Sequence, residues 1–272
     1  MTPDVHALAD LALSRRPRGI ICDIDGTLSP IAPTPEAATL APGAREALTR
    51  LVAQLDVVAV VSGRAARDAQ ALVDVPGLVV AGNHGLETLD EHGLTIHPDA
   101  VDSVPRIKQA LATIRERVSA DPSLAGVLVE DKGVSGSVHF RLASDRTAAE
   151  SRLNTWASEL ASELDLKITH GRLVIEIRPP IAINKGAAVR RIVDDHGLQG
   201  VLFFGDDVTD IDGFVALAQL RAEQGIEGWA IGVADPEARP DVIEATDAAV
   251  GGVDACVALL AQIADQLERD GD

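Results

Sequence analysis

Three short stretches place acidic or small polar residues directly behind apolar runs. Asp23 and Asp25 of DIDGT follow Gly19-Ile20-Ile21-Cys22, and Ser62-Gly63-Arg64 follows the run at 57–61. Asp206, Asp207 and Asp210 of GDDVTD follow the run at 201–204. Taken singly, such a residue set is what a turn or a helix cap uses. Gathered on one crevice, the same residues would form a reactive site rich in carboxylates. A calcium loop of the EF-hand kind is excluded, because its sixth and twelfth positions would be Leu28 and Thr34 rather than Gly and Glu.

The elements that must position these groups are legible as alternating apolar strands and amphipathic helices. A short helix over 4–14 precedes a strand over 18–22, a helix over 43–55, a strand over 57–61, a helix ending near Val73 and a strand over 78–81. Strands that are apolar throughout, each followed by a helix, predict an α/β fold with a buried parallel sheet. The pattern resumes with a helix over 185–196, strands over 201–204 and 228–233, and helices over 210–221 and 253–268. Ligands of such sheets bind outside the carboxyl ends of the strands, so the three polar stretches are expected to converge. Asp23 and Asp25, two residues apart in extended chain, are expected to face the same side.

Between these halves the pattern changes. Helices over 103–119 and 145–164 alternate with strands over 126–131, 136–142, 166–170 and 173–177, the last two joined across His170-Gly171-Arg172. Val138, Phe140 and Leu142 alternate with Ser137, His139 and Arg141, which predicts a sheet with one wet face. Gly133 and Gly136 predict a pliable hairpin tip. The expected organisation is a parallel-sheet core from residues 1–101 and 180–272, with an α+β module inserted over 102–179.

Composition narrows the function. The chain of 272 residues is 46% hydrophobic but only 2% aromatic, with no Tyr, so Ala, Val, Leu and Ile must build the core. With 24 Lys and Arg against 42 Asp and Glu, the net charge of −18 argues against nucleic acid or an anionic membrane as partner. Cys22 and Cys256 lack the spacing of a metal site or a disulfide framework, and Cys22 reads as a small buried strand residue. No secretory leader and no run of about 18 apolar residues is visible, so the expectation is a soluble, cytoplasmic, monomeric protein.

In this order, D-x-D-G-T, a strand-terminal Ser, Lys185 and G-D-D-x-x-D resemble the haloacid dehalogenase (HAD) superfamily of phosphohydrolases. The resemblance implies a Rossmann-like HAD core with an inserted cap domain. It makes Asp23 the nucleophile that forms an aspartyl-phosphate, and Asp25 the acid that protonates the leaving alcohol and then the base that activates water. It assigns a magnesium ion (Mg2+) to the Asp23 carboxylate, the Asp25 backbone carbonyl and Asp206, with Asp207 and Asp210 orienting them through water or Lys185. Lys185 would supply a point charge, and Ser62 with backbone N–H groups would cradle the phosphate. A carboxylate attacking a phosphate needs such cations, since two like charges at ~4 Å repel by about 4 kcal/mol even at an effective dielectric near 20.

DIDGTLSP, VSGR, GNHGLE, VEDKGVSGSVHFR, IEIRP, NKG and GDDVTDID further resemble the trehalose-6-phosphate phosphatases, from about residue 20 to 212. That family holds its disaccharide with a cap Glu-x-Lys and a second cap Glu, which match Glu130, Lys132 and Glu176. Gly63, Arg64, Asn83 and His84 fall in matched loops and are candidate substrate contacts. Arg64 is expected to reach substrate, and His84 to shape the loop after the third strand. The expected activity is hydrolysis of trehalose 6-phosphate beneath a closing cap, with a possible loose association with a trehalose-phosphate synthase. The alternatives are another sugar phosphate (glucosylglycerol, sucrose or mannosylglycerate phosphate) or a non-catalytic partner of a trehalose synthase. After about residue 235 no motif is matched.

Overall fold

Arg18–Cys22 (β1) runs through the middle of a sheet, with Ile20 and Cys22 buried on one face and Ile21 on the other. The computed structural model describes residues 4–171, 173–234 and 240–271; Arg172, assigned above to a hairpin turn, lies outside them. The chain divides into two compact units, Met1–Thr95 with Ile183–Asp272, and Ile96–Ala182.

In the first unit, Val5–Leu13 (α1) precedes β1. Ala44–Gln54 (α2), Val57–Val61 (β2), Ala66–Val73 (α3), Val79–Gly82 (β3), Glu87–Asp90 (β4) and Gly93–Ile96 (β5) follow. In the second unit come Pro98–Val101 (α4), Val104–Ser119 (α5), Leu128–Asp131 (β6), Gly136–His139 (β7), Arg146–Glu163 (α6), Lys167–Gly171 (β8) and Val174–Arg178 (β9). The chain then returns to the first unit with Lys185–His196 (α7), Gly200–Gly205 (β10), Val208–Gln224 (α8), Glu227–Val233 (β11), Pro240–Glu244 (α9), Ala248–Val250 (β12) and Gly252–Gly271 (α10).

The sheet of the first unit has the order β12-β11-β10-β1-β2-β3-β4-β5, parallel from β12 to β3. Residues from α1, α2, α3 and α10 pack on one face, and residues from α7, α8 and α9 on the other. This is the expected doubly wound arrangement. Phe203 and Phe204 are both fully buried, one to each face, which is how so few aromatics serve two cores. Cys22 is buried as expected.

The order reverses between β1 and β10: from β1 the chain winds one way through β2 and β3, and later the other way through β10 and β11. Such a switch point opens a crevice at the carboxyl ends of the two strands. Asp23 follows β1 there, its N–H bonded to the Phe204 carbonyl of β10 at 2.8 Å.

Strands β4 and β5, which the sequence reading omits, extend the sheet past β3, and β4 pairs with β3 antiparallel. Their sequences ETLD and GLTI carry no apolar run, because these last two strands of the sheet are only partly covered; Leu89 and Leu94 pack against the core. The short α9 and β12 were likewise not foreseen.

In the second unit, an antiparallel sheet of order β6-β7-β9-β8 carries α5 and α6 on one face, around Ile107, Leu111, Val138, Leu153 and Ile175. Leu142 departs from the expected alternation and is 50% exposed. Strand β7 stops at His139, and the N–H of Ala143 closes a turn on the Phe140 carbonyl, which ends the two-residue period. Ser137, placed on the wet face, is fully buried, because Glu130 and Glu176 flank it in register and Lys132 reaches both of them. The hairpin tip is also less pliable than its glycines imply. Gly133 does adopt φ +79, but Gly136 is packed so closely on Leu111 that a Cβ would overlap the leucine side chain.

Candidate active site

The loop after β1 is anchored by Ile24 and Leu28, both fully buried, and by three N–H groups, of Thr27, Leu28 and Ser29, that converge on the Ile24 carbonyl. This anchoring leaves Asp23 buried at the strand end, while the Asp25 side chain stays one-third exposed. Gly26 turns with φ +99, and a Cβ there would fall within the Asp206 carboxylate. Glycine is therefore the residue that lets the first loop close on the end of β10.

Lys185 opens α7, whose first turn is capped by Asn184 Oδ1 accepting the Ala187 N–H at 2.9 Å. Its ammonium is 3% exposed and donates to Asp23 Oδ1 and Asp210 Oδ1, each at 2.7 Å. Asp210, in the first turn of α8, is fully buried and also accepts the N–H groups of Asp206 and Asp207 through Oδ2, at 3.1 and 3.0 Å. Both Asp210 oxygens are thus engaged by donors. Asp206 accepts from the Thr27 hydroxyl at 3.1 Å. Asp207 sits at the start of α8 as its capping residue.

Asp23, Asp206 and Asp210 each bring a carboxylate oxygen within 4.8 Å of the others. Three acids around one ammonium leave net negative charge in a buried place. Burial first, then repulsion from Asp210 and Asp25, overcomes the attraction of Lys185 and lifts Asp23 to about 7. Burial and repulsion from Asp23 and Asp210 lift Asp206 to about 9. Burial works against the Lys185 charge, but contact with Asp210 and Asp23 outweighs it and its pKa is raised. This uncompensated cluster of hard oxygen donors fits a small divalent cation, with Asp23 and Asp206 the side chains best able to turn to it.

These shifts carry a sign for stability. Unfolded carboxylates ionise near pH 4, whereas Asp23 and Asp206 resist ionising until about 7 and 9. The cation-free fold should therefore lose stability as pH rises from about 4 toward 9. The melting temperature of chelated protein is expected to fall between about pH 5 and about pH 8, and a bound divalent cation to restore more of it at the upper end. Asp206→Asn should flatten that slope; an equal slope in the variant would contradict the assignment.

Asp25 meets a different cation. Arg64 Nε donates to Asp25 Oδ2 and Nη2 to Oδ1, both at 2.7 Å, and Nη1 donates to the Pro35 carbonyl at 3.0 Å. The two carboxylates of DIDGT, expected to face one side, are thus held by separate cations, Lys185 for Asp23 and Arg64 for Asp25. This pairing had no signal in the spacing of the two stretches.

Ser62 is buried at the end of β2, where its hydroxyl accepts the Arg64 N–H at 3.2 Å. It does not cap α3. That task falls to buried Glu87, which accepts the Ala66 N–H at 2.8 Å. Asn83 and His84 both take positive φ, 50 and 56, and their N–H groups bond the Arg64 and Ser62 carbonyls. The His84 ring lies over the open face of Gly63, where a Cβ would stand 2.8 Å from Nε2. His84 is thus packed into this loop by its ring and its N–H.

The second unit gathers its own polar cluster. Cross-strand register aligns Glu130, Ser137, Glu176 and Thr169 in one row over β6, β7, β9 and β8. Lys132 Nζ lies 3.9 Å from Glu130 Oε2 and 3.5 Å from Glu176 Oε1, and its side chain is 7% exposed. His139 Nε2 is 2.8 Å from Glu130 Oε2. No helix among the described residues is long and apolar enough to cross a membrane.

Residues 21–233 match a family model described as trehalose-phosphatase. The chain is 38% identical over 216 residues to the trehalose-phosphate phosphatase of Mycobacterium bovis (strain BCG / Pasteur 1173P2), covering 76% of this chain and 53% of that protein. It is 38% identical over 208 residues to the protein of the same name from Mycobacterium marinum, covering 73% and 51%. The chain spans about half the length of these curated relatives. Among solved structures, the C-terminal domain of Candida albicans trehalose-6-phosphate phosphatase superposes with a TM-score of 0.78 at 20% identity, covering 98% of this chain and 99% of that one. The C-terminal domain of a Candida albicans trehalose synthase regulatory protein gives 0.66 at 15% identity, covering 95% and 97%.

Proposed function

The chain belongs to the trehalose-phosphatase family, and we propose that it hydrolyses trehalose 6-phosphate to trehalose and phosphate through an aspartyl-phosphate on Asp23. The observation that carries this reading is the constellation of buried Asp23, Lys185 and Asp210 with half-buried Asp206 at the β1/β10 switch point, and Asp25 beside it. A regulatory domain of the same fold needs no Asp25, so the intact set favours an enzyme over the non-catalytic alternative.

In the first step an Asp23 carboxylate oxygen attacks phosphorus. The phosphorus–oxygen bond to the sugar breaks, and the departing oxygen keeps the electron pair and takes the proton of Asp25. In the second step a water gives its proton to Asp25 and attacks phosphorus. The bond to Asp23 breaks and the carboxylate is restored. Lys185 and the Ser62 loop hold the phosphate oxygens, while Asp210 fixes Lys185 and, with Asp207, orders the start of α8. Mg2+ held by Asp23, Asp206 and the Asp25 carbonyl would supply positive charge against the repulsion between carboxylate and phosphate.

Glu130, Lys132 and Glu176 hold the sugar in this account. Carboxylates accept from hydroxyls and the ammonium donates to them. Lys132→Ala is expected to raise KM for trehalose 6-phosphate by about tenfold to a hundredfold with a smaller change in kcat; an unchanged KM would remove Lys132 from substrate binding. The activity itself is tested by phosphate release from trehalose 6-phosphate and from glucosylglycerol, sucrose and mannosylglycerate phosphates, with Mg2+ and with a chelator. Trehalose 6-phosphate should lead, and chelation should stop turnover. A preference of more than about tenfold for another sugar phosphate would sink the substrate assignment.

A further inference from the structure

We propose that Arg64 is a positioning residue that withholds Asp25 from protonating the leaving group until sugar hydroxyls of a complete substrate replace the carboxylate on its guanidinium. The inference rests on Asp25 being the proton carrier. In the fork described above, Nε and Nη2 each take a different Asp25 oxygen at 2.7 Å. Those contacts take a lone pair on each oxygen and aim the carboxyl group at Arg64, so in this pose Asp25 is an acceptor facing the guanidinium and not a donor facing a leaving oxygen. Proton delivery to a leaving oxygen demands the opposite. The pair must open within the cycle.

What opens it is constrained by how Arg64 is held. Its N–H bonds the Ser62 hydroxyl at 3.2 Å, its carbonyl accepts from Asn83 at 2.7 Å, and Nη1 rests on the Pro35 carbonyl at 3.0 Å. The Arg64 main chain is thus fixed at its N–H and its carbonyl, the guanidinium is held at Nη1, and the side chain is 14% exposed against 33% for Asp25. Asp25 is therefore the mobile partner. Phosphate oxygens have Lys185 and the Ser62 loop to occupy them, so the acceptors left for Arg64 are sugar hydroxyls near the leaving oxygen. A phosphate ester without such hydroxyls leaves the pair closed and Asp25 unable to donate a proton, while its remaining lone pairs can still take one from water.

The test compares wild type with Arg64→Ala on three esters: trehalose 6-phosphate, ethyl phosphate and para-nitrophenyl phosphate, whose leaving group needs no proton. For trehalose 6-phosphate, kcat/KM should fall by about tenfold, chiefly through KM. Turnover of ethyl phosphate, taken relative to the aryl ester, should rise by about tenfold. Effects of opposite sign are the signature. A fall or no change in the ethyl-to-aryl ratio overturns the proposal. If Arg64→Ala does not fold, Arg64→Lys carries the same test, because its single ammonium cannot reproduce the fork; the same two signs are required. Should another sugar phosphate prove the better substrate, it takes the place of trehalose 6-phosphate and the test of Arg64 stands. Should Asp25→Asn retain full turnover, it is the reading of Asp25 that fails.

Discussion

Asp23→Asn is expected to reduce turnover of trehalose 6-phosphate by about ten-thousand-fold or more, the scale on which removing a covalent nucleophile acts. The amide occupies the same volume and can still accept from Lys185, so the loss reads chemistry rather than shape. Stability should move the other way. Asp23 is buried beside Asp210 and Asp206 and resists ionising until about 7. A neutral amide relieves that repulsion, and Lys185 keeps Asp210 as its partner at 2.7 Å. At about pH 8 the cation-free variant should therefore melt no lower than cation-free wild type. A variant that is inactive because it is unfolded would fail this second measurement.

Asp25→Asn is the other large effect. Loss of a general acid and base costs about 10²- to 10⁴-fold, and in the proposed mechanism one residue serves both steps. With trehalose 6-phosphate both steps slow. With para-nitrophenyl phosphate the first needs no proton, so Asp23 should be phosphorylated and then stall: a burst of nitrophenol equal to the enzyme present, with little turnover after it. Steady turnover of both esters at the wild-type rate would mean that Asp25 carries no proton.

The crevice was legible because its makers are local. Val57–Val61 and Gly200–Gly205 are apolar from end to end, which marks parallel strands, and the residue after such a strand lies at the ligand-binding edge of the sheet. Lys185 and Asp210 each begin a helix against that edge, so their motifs could be placed before the fold was known. Partner choice was not legible. Nothing in DIDGT or VSGR says that Arg64 takes Asp25 while Lys185 takes Asp23. That outcome depends on which loop the Ser62 hydroxyl and the Pro35 carbonyl tie down. The same limit hid Glu87 as the cap of α3, because the residue it serves lies on another element.

Elements with weak apolar signal were also lost. Strands β4 and β5 are the last two of the sheet and are only partly covered. Leu142 was misplaced because period two was carried past the point where the Phe140–Ala143 turn stops β7. Gly136 was read as flexibility when it marks the close approach of Leu111. In each case a residue was assigned by its own propensity, and the tertiary neighbour decided.

The central claim is that the phosphoryl group of trehalose 6-phosphate passes through Asp23. It is tested most directly by mixing Asp25→Asn protein with trehalose 6-phosphate and Mg2+, quenching in acid, and weighing the peptide that contains Asp23. The account predicts one added phosphoryl group on Asp23, absent when Asp23→Asn is combined with Asp25→Asn. Release of phosphate from trehalose 6-phosphate by wild type, with that peptide unmodified at every quench time, would contradict it.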